Sequence, residues 1–249
     1  MYIFTFSRYY WFDKIVYLNN WKNISAGDLI EFWWEYALVL WKDIPFKEIY
    51  NKYLVNLDYK IYKKKFLTKN SICLINYIVQ KYFSSFKRVV PLYIPNMDIE
   101  KLFSYRKKVK KTVSYKFYSE NWCLYSDKEN IDYQQLIVFP DIWSVYNSFL
   151  DFTFLEDNKV YNSSSTIAAK SKLFWWISDL NYKNLVCTQS QIFKNWKKLK
   201  EIIVFSPHTW YYKNHQEPRY NAIDILEKMS NLEWANLKFI QDYRLFSYN

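Results

Sequence analysis

Glu201–Met229 reads EIIVFSPHTWYYKNHQEPRYNAIDILEKM, and the fold turns on what its two ends join. Ile202, Ile203, Val204 and Phe205 are strand formers. Pro207 has no N–H to give a ladder, so the strand stops at Ser206-Pro207. Further on, Ile223, Leu226 and Met229 recur at helical spacing. Upstream lies FKNWKKLK, Phe193–Lys200, basic and carrying two bulky rings, and before it a short strand, Asn184–Cys187. SSSTIAAKSKLFWWISDL, Ser163–Leu180, predicts a helix capped by Ser164 or Ser165, with Leu173, Phe174, Ile177 and Leu180 as its buried stripe. DFTFLE, Asp151–Glu156, alternates as a strand, with Phe152 and Phe154 on one face. NLKFIQDY, from Asn236, alternates as an edge strand. Strand, helix, strand, long hairpin, strand, helix, strand is the order of a ferredoxin-like split βαβ unit, an α+β fold on a mostly antiparallel sheet.

The first 150 residues predict a mainly helical extension, with the boundary between 150 and 151. Ser25 and Asp28 offer caps to a helix over Leu29–Trp41; at 13 residues, interrupted by Glu31 and Glu35, that run is short of the roughly 20 a membrane span requires. Pro45 opens a second helix with Phe46, Ile49, Tyr50, Tyr53 and Leu54 in register. A third runs from about Asn70 to Phe86 on a stripe of Ile72, Leu74, Ile75, Ile78, Val79 and Tyr82. Lys60, Lys63, Lys64 and Lys65 form a basic patch between them, and Pro91 and Pro95 end the helical region.

Composition narrows the function. The 35 Lys+Arg against 24 Asp+Glu give a formal charge of +11, which suits polyanionic partners or an anionic membrane surface. There is 1 Gly against 12 Trp, 25 Tyr and 19 Phe. AT-rich codons account for most of this bias, and tryptophan fits if TGA also encodes it, as in many mitochondria. These features point to a mitochondrially encoded chain, placed in the mitochondrial matrix if it belongs to the mitoribosome, and to mutational bias as the source of most aromatics. With Gly27 alone, neither a P-loop nor a dinucleotide fingerprint is possible. Cys73, Cys123 and Cys187 make no CxxC pair, so neither a zinc ribbon nor a disulfide framework is indicated. His208 and His215, the two histidines, have no cysteine beside them and no serine–acid constellation, so neither a metal, a cofactor nor catalysis is expected. The expectation is a non-enzyme.

Two basic stretches are candidates for RNA. In SYRKKVKKTVSYKFY, Arg106, Lys107, Lys108, Lys110 and Lys111 interleave with Tyr105, Tyr115 and Tyr118, charge for phosphate and rings for unstacked bases. Lys194, Lys197, Lys198 and Lys200 sit on the arm entering the strand, where alternate side chains face opposite ways and make a two-sided basic finger. The bland alternatives are a solvated basic loop and a lysine-protected sheet edge. At the strand's end Pro207 turns the chain, and Ser206 and His208 present short polar groups beside it, the imidazole able to donate to phosphate or stack on a base.

Ser206-Pro207-His208, then TWYYKNH, then Gln216 resembles the signature of the small-ribosomal-subunit protein S-ten family, also known as NusE. Arg219 stands one position earlier than that family's arginine, and Ile223–Met229 is similar to its second-helix pattern V-D-A-L-M-K-L. The proline-rich strip that opens the family's hairpin is replaced by TQSQIF, Thr188–Phe193, and the basic residues after Ser-Pro-His thin to Lys213, with His215 nearby. The resemblance covers Asp151 to the end. It implies a structural protein of the small-subunit head, held against rRNA and the S-three, S-nine and S-fourteen proteins, with Lys213, His215 and Arg219 added to the RNA-facing set. The competing expectation is an accessory subunit of an inner-membrane respiratory complex, which shares the compositional bias and would need a span or a large apolar docking face.

Overall fold

Four strands, β8 (Gln134–Phe139), β9 (Asn184–Thr188), β10 (Leu199–Phe205) and β11 (Asn236–Ile240), form a sheet in the order β11-β10-β8-β9. Every pairing in it is parallel. The computed structural model describes residues 2–6, 11–15, 23–32, 35–41, 59–106, 116–120, 123–127, 131–147 and 161–241. The protein is thus mixed α/β, but the split βαβ arrangement does not form in this sheet. β9 and β10 are not arms of a hairpin. They flank β8 on opposite sides and run in the same direction.

The reason lies in the side chains. A parallel sheet is covered on both faces, so its strands are apolar at consecutive positions. Leu136, Val138, Leu185, Cys187, Ile202 and Val204 enter the main core. Ile137, Phe139, Val186, Ile203 and Phe205 face the other way into a second cluster with Val145. There the Phe139 and Phe205 rings stack at 4.4 Å. Val145 belongs to α4 (Ile142–Asn147). The main-core face is covered by α1 (Lys69–Lys81), α5 (Ile167–Ser178) and α6 (Ala222–Glu233), through Ile75, Phe174 and Leu226 among others. α2 (Phe86–Tyr93) and α3 (Ile99–Arg106) complete that layer with Val90 and Leu102.

β8 to β9 crosses through α5, and β10 to β11 through α6. Between β9 and β10 the chain returns instead as ten residues of coil and one 3-10 turn, 189–198, with Gln191–Trp196 entirely buried. Buried coil needs partners for its backbone and its polar side chains, and Gln134 and Asn195 supply them below.

Among the described residues, the N-terminal region is not mainly helical. β1 (Tyr2–Phe6), β2 (Trp11–Ile15), β3 (Leu29–Phe32), β4 (Glu35–Trp41) and β5 (Lys60–Lys63) form an antiparallel sheet ordered β2-β1-β4-β3-β5. Leu29–Trp41, expected as one helix, is the β3–β4 hairpin, with Phe32 opposite Glu35. Alternation decides it: Leu38 and Leu40 join the main core, whereas Ala37 and Val39 face Ile3, Ile24 and Ile30. The Pro45 helix and the Asp151–Glu156 strand lie outside the described residues. The third helix is α1, ended at Lys81 and capped by Thr68, whose side chain accepts from Ser71 N. α5 is capped by Thr166, not by Ser164 or Ser165. Pro91 lies inside α2 rather than ending the helical region. β6 (Lys116–Glu120) and β7 (Cys123–Asp127) pair as a separate antiparallel ribbon. β8, which the sequence reading passes over, is a central strand of the C-terminal sheet, so a boundary at 150/151 divides that sheet.

Candidate nucleic-acid interface

A groove of about 830 Å³ opens where β5, the start of α1, the ends of α3 and α5, and the buried coil meet. Its lining carries six cations, Lys63, Lys64, Lys65, Lys69, Arg106 and Lys197, and a single carboxylate, Asp179. Asp179 is already engaged: Arg106 Nε and Nη2 donate to its two oxygens at 2.7 and 2.9 Å. The same guanidinium lies 5.0 Å from the Trp175 ring centre, and Trp175 Nε1 donates to Leu102 O at 2.7 Å. Arg106 is therefore fixed, while Lys64, Lys65, Lys69 and Lys197 are solvent-exposed. The N-terminus of α1 adds positive dipole character at Lys69.

Local structure holds this charge in place. Asp28, itself buried, accepts from Ser25 N at 2.9 Å and from Lys65 N at 2.8 Å. Lys65 takes a left-handed φ of 49° there, which sends the lysine run around a tight corner. Lys197 is set by Gln134, whose Oε1 accepts from Lys197 N and Lys198 N at 3.0 and 3.1 Å. The floor is Asn195, which is 1% exposed. Its Oδ1 accepts from Thr68 N at 2.8 Å, and its Nδ2 donates to Phe66 O at 2.9 Å and Ser178 Oγ at 3.1 Å. One side chain thus joins the lysine turn, α5 and the coil. Asn195→Ala leaves Thr68 N and Phe66 O without these partners. Each such buried group costs about 1–3 kcal/mol, so urea denaturation is expected to register a loss of about 2–5 kcal/mol.

Of the sequence-derived candidates, the groove unites Arg106 and Lys197 and adds Lys63–Lys65 and Lys69. The patch at Lys63–Lys65 is visible in the sequence; its pairing with residues far along the chain is not. Lys107, Lys108, Lys110 and Lys111 lie outside the described residues. The other arm lysines do not make a two-sided finger, because β10 is an interior strand paired on both edges. Lys198 is exposed and ion-paired with Asp132 at 2.8 Å, which holds the Asp132 carboxyl below the usual carboxylate range. Lys200 is exposed on β10. Lys194 is buried, 6% exposed, with Nζ donating to Gln191 Oε1 at 3.1 Å. It is carried inward by the coil, in which Phe193 and Trp196 are core residues.

The Ser-Pro-His segment sits at the far end of β10, whose seven residues span about 20 Å at ~3.3 Å per residue, and Lys197 lies before its near end. Ser206 is buried at φ 48°, its N donating to Ile240 O at 2.7 Å, so it closes the end of the sheet instead of facing solvent. Pro207 is half-buried and His208 exposed. Lys213, His215 and Arg219 are exposed on the following loop. Between them Tyr212 is buried, its hydroxyl donating to Phe205 O at 2.7 Å with Val138 O 3.2 Å away. It therefore fills the crevice between the carboxyl ends of β8 and β10, where parallel sheets of this order commonly hold their ligands.

Among the described residues no three His, Cys, Asp or Glu side chains gather as a metal cluster, and no helix is long and apolar enough to cross a membrane. Cys187 is buried, which pushes its thiol up to about 12. Comparison with protein-family models finds no match, and comparison with curated proteins finds none either.

Proposed function

We propose that this chain is a structural, RNA-binding component of the mitochondrial small ribosomal subunit, without catalytic turnover. The observation that carries the RNA reading is the groove: six cations from three stretches of the chain line it, and the one carboxylate among them is taken up by Arg106. Phosphate backbones suit such a surface because each neutralised phosphate releases counterions. The crevice at the sheet's carboxyl edge, filled by Tyr212, and the single glycine both favour a scaffold over a nucleotide-using enzyme.

The ribosomal and mitochondrial parts of the reading rest on composition and on the Ser206-Pro207-His208…Gln216 spacing. The S-ten likeness rests on that spacing and the Ile223–Met229 pattern alone, since the parallel order of the sheet departs from a split βαβ unit. Placement beside S-three, S-nine and S-fourteen proteins in the head follows only from that likeness.

On a sucrose gradient of mitochondrial lysate the chain is expected to travel with the small subunit at low salt and to leave it in high salt. Migration with detergent-extracted respiratory complexes would overturn the proposal.

A further inference from the structure

Lys194 lines a second, separate cavity of about 190 Å³. A lysine this deep ordinarily has a carboxylate beside it. Among the described residues lining this cavity there is none: the charged ones are Lys194 and Lys170. Lys194 Nζ donates to Gln191 Oε1, and two of its three protons have no recorded acceptor among the described residues. Lys170 Nζ, at the cavity wall, donates to Ser163 O at 2.8 Å. Tyr93, 2% exposed, also lines the cavity, but its hydroxyl lies near the Glu233 carboxylate, outside this cavity's lining. The remaining wall is apolar, including Leu92 and Phe174.

We propose that this cavity binds a short-chain carboxylate, with the Lys194 and Lys170 amines as counter-charges. The volume matches about six waters of liquid at ~30 Å³ each, which suits a molecule of about six heavy atoms. The apolar wall takes the hydrocarbon body, and the amines take the oxygens. A carboxylate here supplies the missing partner of a buried cation. Burial lowers the Lys194 pKa to about 8, and the neighbouring Lys170 charge pushes the same way; an anion seated between the two amines relieves both effects.

The test is calorimetric titration of the full chain at pH 7 with sodium isobutyrate, its neutral isostere isobutyramide, and inorganic phosphate. Isobutyrate is expected to bind saturably, at least tenfold more tightly than isobutyramide and more tightly than phosphate. Lys194→Met, checked for folding by circular dichroism, is expected to lose at least tenfold in isobutyrate affinity. If that variant does not fold, Lys170→Met is expected to weaken isobutyrate severalfold, and the wild-type comparison with isobutyramide stands by itself. No saturable heat, equal affinity for acid and amide, or tighter phosphate binding would overturn the inference. Substitutions in the RNA groove are expected to leave isobutyrate binding unchanged, so the two sites fail or stand separately.

Discussion

Lys64→Glu, Lys69→Glu and Lys197→Glu together are expected to weaken single-stranded RNA binding about a thousandfold at 0.1 M salt while leaving the protein folded. The three side chains are exposed and line one groove. Loss of one phosphate contact costs about tenfold, or about 1.4 kcal/mol, so three cost about three powers of ten, and reversing the charge adds repulsion. The salt dependence should change with it. With Arg106 held by Asp179, the five lysines imply a slope of log affinity on log salt of about −3.5 for a single strand, which falls to about −1.4 when three are removed. Stability should not fall in step. Lys69 is the first residue of α1, where glutamate is favoured by the helix dipole, and neither Lys64 nor Lys197 has a resolved carboxylate partner within the groove, whose one acid belongs to Arg106. Filter binding across a salt series, with urea denaturation alongside, separates the two effects. A control at Lys200 and Lys213, both outside the groove's lining, is expected to change affinity less than threefold.

Gly27→Ala is the second large effect, and here stability is lost. The chain's one glycine takes φ +92°, a backbone region that L side chains rarely adopt. Its N donates to Val39 O at 2.7 Å and its O accepts from Leu67 N at 3.0 Å, clamping the residue between β4 and the lysine turn. A Cβ at position 27 would lie 2.3 Å from Leu67 O. That atom is backbone, so relief requires the turn to move and both clamps to loosen. Positive φ for alanine costs about 1–2 kcal/mol, and the displaced packing and hydrogen bonds add about 2 more. The sum, about 3–4 kcal/mol, corresponds to a fall in Tm of roughly 10 °C for a chain of this size. Because Leu67 and Lys65 share the groove wall, RNA affinity should fall with it. An unchanged melting temperature would contradict this geometry.

That glycine also marks how far the sequence could be read. Its uniqueness is plain in the sequence, but its partner, Leu67, lies 40 residues on. α5, α6 and β11 are legible because periodicity is a local signal, whereas the caps, Thr166 and Asn221, are not the ones read from the sequence. Leu29–Trp41 misleads because dense apolar runs satisfy helix and strand periods alike. The two strands are separated only by what packs on each face, which is tertiary information.

The hairpin reading of residues 184–205 fails for a different reason, and the sign was present. Ile202–Phe205 is apolar four times running, and so is Leu136–Phe139. A one-faced antiparallel strand alternates, whereas a buried parallel strand does not. The short connection of 189–198 suggested a hairpin because parallel strands usually need a dozen or more residues and a helix between them. Here a buried coil does that job, and Asn195 and Gln134 make it tolerable by bonding where helix geometry would otherwise serve. The same burial removes Lys194 from the surface. The groove itself is legible only in fragments. Lys63–Lys65, Arg106 and Lys197 are each visibly basic, but their convergence depends on the packing of α3 and α5 against the turn at Phe66, where the Phe66 and Trp175 rings meet.

The most direct measurement is ultraviolet crosslinking of intact mitochondrial small subunits, with the crosslinked peptides of this chain identified by mass spectrometry. The account predicts nucleotide adducts concentrated on peptides spanning residues 63–69 and 197, reduced in the Lys64, Lys69, Lys197 triple variant. Adducts absent from these peptides while the chain remains bound to the subunit would contradict it.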